Sequence, residues 1–179
     1  GMTPFDAVNH AMTTVSTGGY ATDDRSMGRF ASPVLWVGTL FMLIGALPFT
    51  LIISFANRPR RVLLTNQQVV GLFSIVATVV LALSLHLALN QNYAPVDAVT
   101  QSAFNLVSII TTTGYASSDY TLWGPFAIAL FFIVMFIGGC SGSTSGGMKV
   151  FRFQLSYLFL RSQIQRLLHP QGVFVTLYN

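Results

Sequence analysis

The stretch PFDAVNHAMTTVSTGGYATDD, Pro4 to Asp24, returns in altered form as PVDAVTQSAFNLVSIITTTGYASSD, Pro95 to Asp119. Both copies end in Thr- and Gly-rich turns, and a long apolar run follows each. Polar turns between membrane-length runs suit a polar path through a bilayer and do not suit a soluble core. A duplicated element of this kind points to several copies arranged around a common axis.

Composition agrees. Charged residues make up 8% of the 179 and hydrophobic residues 53%, whereas soluble domains carry roughly 25% charge. Three runs carry the membrane signal. Pro33 to Phe55 has no charge, Val69 to Leu89 holds only His86, and Pro125 to Gly139 is short but wholly apolar. A span takes about 20 apolar residues, so the first two qualify and the third falls short alone. The expected fold is an all-α integral membrane protein of span–pore loop–span repeats, with re-entrant half-helices and a broken third span. Residues 1–61 are expected to form a pore loop, its second span and a basic loop. Residues 62–179 should form one complete repeat with a cytoplasmic tail, and the whole is expected to be part of a longer protein.

The net charge of +4 is topological in origin. Arg58, Arg60 and Arg61 lie between the first two runs, and Lys149, Arg152, Arg161 and Arg166 follow the third. Asn90 to Gly124 has no Lys or Arg. The positive-inside rule places the basic loop and tail in the cytoplasm and both repeated segments outside, so no nucleic-acid partner is implied. Arg25 and Arg29 run against this rule, although Asp23 and Asp24 stand beside them. The single Cys140 excludes a disulfide framework or a Cys-rich metal site.

Each repeated segment opens with helix-start chemistry. Thr3-Pro4-Phe5-Asp6 offers an N-cap, a proline at the first helical position and an acid at N3; Ala94-Pro95-Val96-Asp97 repeats all but the Thr. About 12 helical residues, roughly 18 Å, would dip partway into the hydrocarbon. The second copy has about one further helical turn before its glycine. The turns themselves, Ser16-Thr17-Gly18-Gly19-Tyr20 and Thr111-Thr112-Thr113-Gly114-Tyr115, set hydroxyls ahead of a glycine. A dehydrated monovalent cation needs several oxygen dipoles and no trapping charge, which backbone carbonyls and Thr hydroxyls provide. Gly19 and Gly114 allow the dihedrals that turn carbonyls inward. The negative end of the preceding helix dipole favours a cation at the same point.

The third apolar run breaks at Gly138-Gly139-Cys140-Ser141-Gly142-Ser143-Thr144-Ser145-Gly146-Gly147, followed by Met148 and Lys149. Five glycines among ten residues cannot hold a continuous helix at about 1 kcal/mol per internal glycine. Broken spans mark ion pathways and moving parts. A phosphate-binding loop is excluded because Met148 stands where its lysine belongs. A helix-packing face through Gly138, Gly142 and Gly146, or a plain cytoplasmic helix end, remains open at this stage.

These turns resemble single-glycine relatives of the potassium-channel filter. With GGCSGSTSGGMK (Gly138 to Lys149) and RSQIQRLLHPQGV (Arg161 to Val173), the chain resembles the Trk/Ktr/HKT potassium-uptake superfamily, most closely the bacterial Trk-type membrane subunit. The resemblance implies one pore built from four unequal repeats, of which the chain would supply the end of the second and all of the third. It also implies potassium as the transported ion, bound only at the ten turn residues, with no other cofactor. Gly138 to Gly147 would form an intramembrane gating loop, with Lys149 repelling ions or holding the loop through carbonyls. A positive-inside anchor is the alternative role for Lys149. Implied partners are the remaining repeats of the same polypeptide, a second copy in a homodimer, membrane lipid and a cytosolic nucleotide-binding regulatory subunit. The implied location is the plasma membrane, in bacteria the inner membrane, with several spans.

The competing readings are a sodium-permeable relative, a membrane-embedded enzyme and a scaffold. An enzyme would need an acid, base or metal cluster within the membrane, yet Asp6, Asp23, Asp24, Asp97 and Asp119 all fall outside or at pore-helix starts. A scaffold leaves the matched turns unexplained. His10 and His86 are expected to pack rather than ligate. Tyr20, Tyr115, Trp36 and Trp123 are expected near the outer boundary, where the two tyrosines are also placed to brace the turns. Asp24 and Asp119 are expected at equivalent places after the turns.

Overall fold

The computed structural model describes residues 2–57 and 66–168. The Arg58–Arg61 loop and the end of the tail beyond residue 168 lie outside the described residues. Helices run in the order α1 (Pro4–Val15), α2 (Ser32–Gly45), α3 (Phe49–Asn57), α4 (Gln67–Asn90), α5 (Pro95–Ile110), a 3-10 turn (Tyr120–Trp123), α6 (Pro125–Val134) and α7 (Val150–Leu168). Among the described residues there is no strand, only an isolated bridge between Ile137 and Met148.

Helix starts follow the sequence chemistry. At α1 the Thr3 hydroxyl accepts the Asp6 N–H (3.2 Å) and the Asp6 carboxylate accepts the Thr3 N–H (3.3 Å), a complete capping box. The start of α5 has the proline without a side-chain cap. The extra turn expected in the second copy is present, since α5 has 16 residues and α1 has 12.

One expectation fails. Pro33 to Phe55 is not one continuous helix: it ends as α2 at Gly45 and resumes as α3 at Phe49. Pro48 lacks an N–H, and its ring excludes the carbonyl four residues back. The Leu47 N–H closes instead on Ile44 in a tighter turn (3.1 Å). Among the described residues, α4 alone is long and apolar enough to cross a membrane unbroken.

The half-helix α5 is the centre of the fold, packed between α4 and α2, with α1 against α2 and α7 against α4. Phe104, Leu106, Val107 and Ile110 of α5 are buried with Met42, Leu72, Leu83 and Leu87. On α4 the buried residues Val69, Leu72, Val76, Leu83 and Leu87 share one face, while Phe73, Leu81, Leu85 and Leu89 stay exposed. An apolar helix buried along one stripe only suits lipid or further polypeptide around it. Between helices in lipid, cohesion comes from close packing rather than from release of water.

Candidate functional site

The C-terminal ends of α1 and α5 bring the two Thr-Gly turns together, and their backbones match residue for residue. After α1, the Ser16, Thr17 and Gly18 N–H groups donate to the Met12 (3.1 Å), Thr14 (3.2 Å) and Thr13 (2.8 Å) carbonyls. After α5, the counterparts Thr111, Thr112 and Thr113 donate to Val107 (2.9 Å), Ile109 (3.0 Å) and Ser108 (2.9 Å). Thr17 (φ 52°) and Thr112 (φ 55°) are left-handed, as are Gly19 (φ 68°) and Gly114 (φ 88°), and the residue between each pair is not. A backbone of alternating hand turns its N–H edges to one side and its carbonyls to the other. The first three N–H groups of each turn are spent on the helix ends. By contrast, the carbonyls of Thr17, Gly18, Gly19, Thr112, Thr113 and Gly114 accept no hydrogen bond among the described residues. Gly19 lies against the Thr113 carbonyl so closely that a Cβ there would overlap its oxygen.

A polar scaffold behind the turns holds this shape. Thr13 Oγ1 donates to the Tyr20 carbonyl (3.0 Å), and its counterpart Ser108 Oγ donates to the Tyr115 carbonyl (2.7 Å). Asn105 clamps Ser117 twice, through its amide N–H on Ser117 Oγ (2.8 Å) and its carbonyl oxygen under the Ser117 N–H (3.1 Å). Gln101 Oε1 accepts from the Ser118 hydroxyl (3.1 Å) and from Ser117. Tyr115 crosses between copies, with its hydroxyl bonded to Thr13 and Thr14 of α1 and its ring edge-on to His10. The two tyrosines therefore differ, because Tyr115 is 2% exposed and Tyr20 78%. Trp123 is also buried, with its carbonyl on His86 Nε2 (2.9 Å). His10 is buried against Phe30 and Tyr115, in keeping with packing.

Beneath the turns, Gly138 to Lys149 folds into a braced loop between α6 and α7. The Gly138 N–H donates to the Met148 carbonyl (2.8 Å) and the Gly139 N–H to Ser145 Oγ (3.1 Å). Ser143 Oγ donates to the Cys140 carbonyl (2.7 Å). Lys149 Nζ donates to the Ser145 carbonyl and stands 3.4 Å from Ser143 Oγ, so the cation ties the loop to itself. The loop touches the second turn and the end of α1. The Gly146 N–H donates to Thr112 Oγ1 (2.6 Å), and Thr144 Oγ1 lies 3.4 Å from the Val15 carbonyl. Cys140 is fully buried, whereas Ser141 and Gly142 are exposed.

The two basic residues that ran against the positive-inside pattern are paired with acids. Arg29 holds Asp6 (2.6 Å) and Asp23 (3.1 Å), and Arg25 lies 3.5 Å from Asp23. Asp24 and Asp119 each stand five residues after the turn glycine, but the turn hydrogen bond that Asp119 makes is made in the first copy by Asp23. Asp23 accepts the Arg25 N–H (2.9 Å) as Asp119 accepts the Thr121 N–H (3.0 Å). The Thr121 hydroxyl and N–H hold the Asp119 carboxyl below its ordinary value, and the Arg25 N–H does the same for Asp23. No group of three or more metal-ligating side chains forms among the described residues.

The sequence profile of a family described as "TrkH: Cation transport protein" matches residues 2–177. The chain belongs to the TrkH family. It is 52% identical, over its full length, to the Trk system potassium uptake protein TrkI of Halomonas elongata, and covers 37% of that protein. It is 37% identical to TrkH of Vibrio parahaemolyticus over 97% of the chain, again covering 37% of the relative. The crystal structure of the potassium transporter TrkH from Vibrio parahaemolyticus superposes with a TM-score of 0.93 at 35% identity, over 99% of this chain and 39% of that one. The all-helical membrane-transporter architecture is thus shared, and the chain spans somewhat over a third of the length of these relatives.

Within this TrkH-family chain the ten turn residues and the eleven loop residues singled out by sequence lie in two adjoining layers. The sequence reading passed over the brace formed by Gln101, Asn105 and Ser108. Its signal was present, as polar residues spaced four and three apart along α5. Gly45, Ala46 and Phe49, which meet the loop, gave no chemical signal beyond the neighbouring Pro48.

Proposed function

We propose that this chain supplies two of the filter segments and the gating loop of a potassium-translocating pore. One observation carries the reading: duplicated turns whose first three N–H groups bond back to the preceding helix leave six carbonyls without a partner among the described residues. Six unpaired carbonyls at membrane depth are unfavourable alone and become favourable around a dehydrated monovalent cation. Of the hydroxyls beside them, Thr17 donates to the Ser16 carbonyl (2.7 Å), Thr111 and Thr113 pair with each other (2.8 Å), and Thr112 Oγ1 accepts the Gly146 N–H (2.6 Å). The carbonyls are the oxygens left wholly unpaired among the described residues, and potassium is the transported substrate rather than a resident cofactor.

The rest of the pore comes from the same polypeptide. Residues 1–61 complete one repeat and 62–179 form the next, in a protein of the bacterial inner membrane. Homodimerisation and a cytosolic nucleotide-binding subunit follow from the family resemblance, and the function is transport rather than enzymatic. The loop obstructs the path below the turns, with Lys149 keeping it closed. Full-length transporter in liposomes, assayed for potassium against sodium flux, tests this. Deleting part of 138–147 is expected to raise flux with selectivity intact. Normal assembly with wild-type flux and regulation would show that the loop is not the gate.

A further inference from the structure

The run Pro33–Phe55 breaks at Pro48, and the broken ends are where the loop of the following repeat is seated. In an unbroken helix the Gly45 carbonyl would take the Phe49 N–H and the Ala46 carbonyl the Thr50 N–H. Here the Gly45 carbonyl accepts the Thr144 N–H (3.2 Å) and the Thr144 hydroxyl (2.9 Å). The Ala46 carbonyl accepts the Cys140 N–H (3.0 Å), and the Phe49 N–H donates to the Gly142 carbonyl (3.0 Å). A fifth bond anchors the loop to the start of α4, from the Ser141 N–H to Gln68 Oε1 (2.9 Å). Backbone groups freed by the proline are thus satisfied by backbone groups of the loop, and the reverse.

We propose that the Pro48 break is the seat that fixes the loop in its obstructing position, which makes Pro48 a positioning residue for gating. The inference rests on the reading of the loop as a barrier. When the loop leaves, Gly45, Ala46 and Phe49 lose their partners at membrane depth, and orphaned backbone groups there are strongly disfavoured. Water can satisfy them, or the helix can close over the break. Pro48 forbids the second route, because it lacks the N–H and its ring blocks the Ile44 carbonyl. The docked loop is the arrangement that remains. A residue with an N–H at position 48 opens the competing route, joining α2 to α3 with the acceptors the loop now uses.

Pro48→Ala in the full-length transporter tests the seat, with two separate readouts. Labelling of Cys140 by a maleimide, followed on its own peptide by mass spectrometry, reports undocking because Cys140 is fully buried in the docked loop. Each lost hydrogen bond shifts the docked population about fivefold, so labelling is expected to rise at least tenfold. Potassium flux in liposomes is expected to rise with it, at unchanged potassium-to-sodium ratio. Thr144→Val, which removes one donor and leaves the break, is expected to raise labelling about fivefold, and it decides the matter if Pro48→Ala fails to assemble. Wild-type labelling in the assembled variants overturns the seat. Faster labelling with wild-type flux supports the seat and overturns the barrier reading instead.

Discussion

Substitution of Gly19 by Ala strikes the proposed filter at its tightest point. Two effects add. The residue is left-handed (φ 68°), a conformation that costs an L-residue about 1–2 kcal/mol. The new Cβ also overlaps the Thr113 carbonyl oxygen of the other turn, and restoring ordinary contact moves that oxygen by about 1.5 Å. Thr113 is buried, so the displacement passes into the carbonyl ring rather than into solvent. A shift of this size is expected to remove at least one ligand from a fitted ion, and a difference of about 1.4 kcal/mol between ions is tenfold in selectivity. Gly142→Ala is the matched control, because Gly142 is also left-handed (φ 77°) but a Cβ there meets nothing within 4 Å. Competitive rubidium and sodium uptake into liposomes, at equal protein content, reads both variants. Gly19→Ala should lower the preference tenfold or more while Gly142→Ala keeps it. Equal preference in wild type and Gly19→Ala would refute the reasoning.

Tyr115→Phe takes the hydroxyl from between Thr13, Thr14 and the His10 carbonyl and should destabilise by about 1–3 kcal/mol, seen as a lower melting temperature of detergent-solubilised protein; an unchanged melting point would mean that the bridge is idle. Ser108→Ala frees the Tyr115 carbonyl from its brace and should lower ion preference with little loss of expression, measured by the same uptake competition. The Thr121 hydrogen bonds lower the Asp119 carboxyl below 3.8. Their contribution is therefore complete above that value and fades as the pH falls through the lower folded value. A carboxyl NMR titration should find Asp119 still ionised at pH 3.8, and Thr121→Val should bring its midpoint back up.

Periodicity and helix-start residues carried much of the fold. The Thr3–Asp6 box, the prolines at 4, 33, 95 and 125, and the glycines of 138–147 act locally, and local chemistry is visible in sequence. Pro48 was equally visible, but the unbroken apolarity around it outweighed its missing N–H, so one span was expected where two helices lie. The turn residues were legible because hydroxyls and glycine recur in order. Their pairing was not, since the approach of Gly19 to Thr113 depends on how α1 and α5 converge. The pairing of Arg29 with Asp6 was hidden for the same reason, since the two lie 23 residues apart in sequence. The difference between Tyr115, socketed in α1, and the exposed Tyr20 likewise needs three dimensions.

The central claim is that the six unpaired carbonyls of the two turns hold the transported ion. Anomalous diffraction from crystals of the full-length transporter grown in rubidium tests it most directly. A peak is expected within coordination distance of the Thr17, Gly18 and Gly19 carbonyls and of the Thr112, Thr113 and Gly114 carbonyls, and it should weaken in Gly19→Ala crystals. Rubidium ordered elsewhere along the path, with none at these oxygens in a transporter that conducts it, would contradict the account.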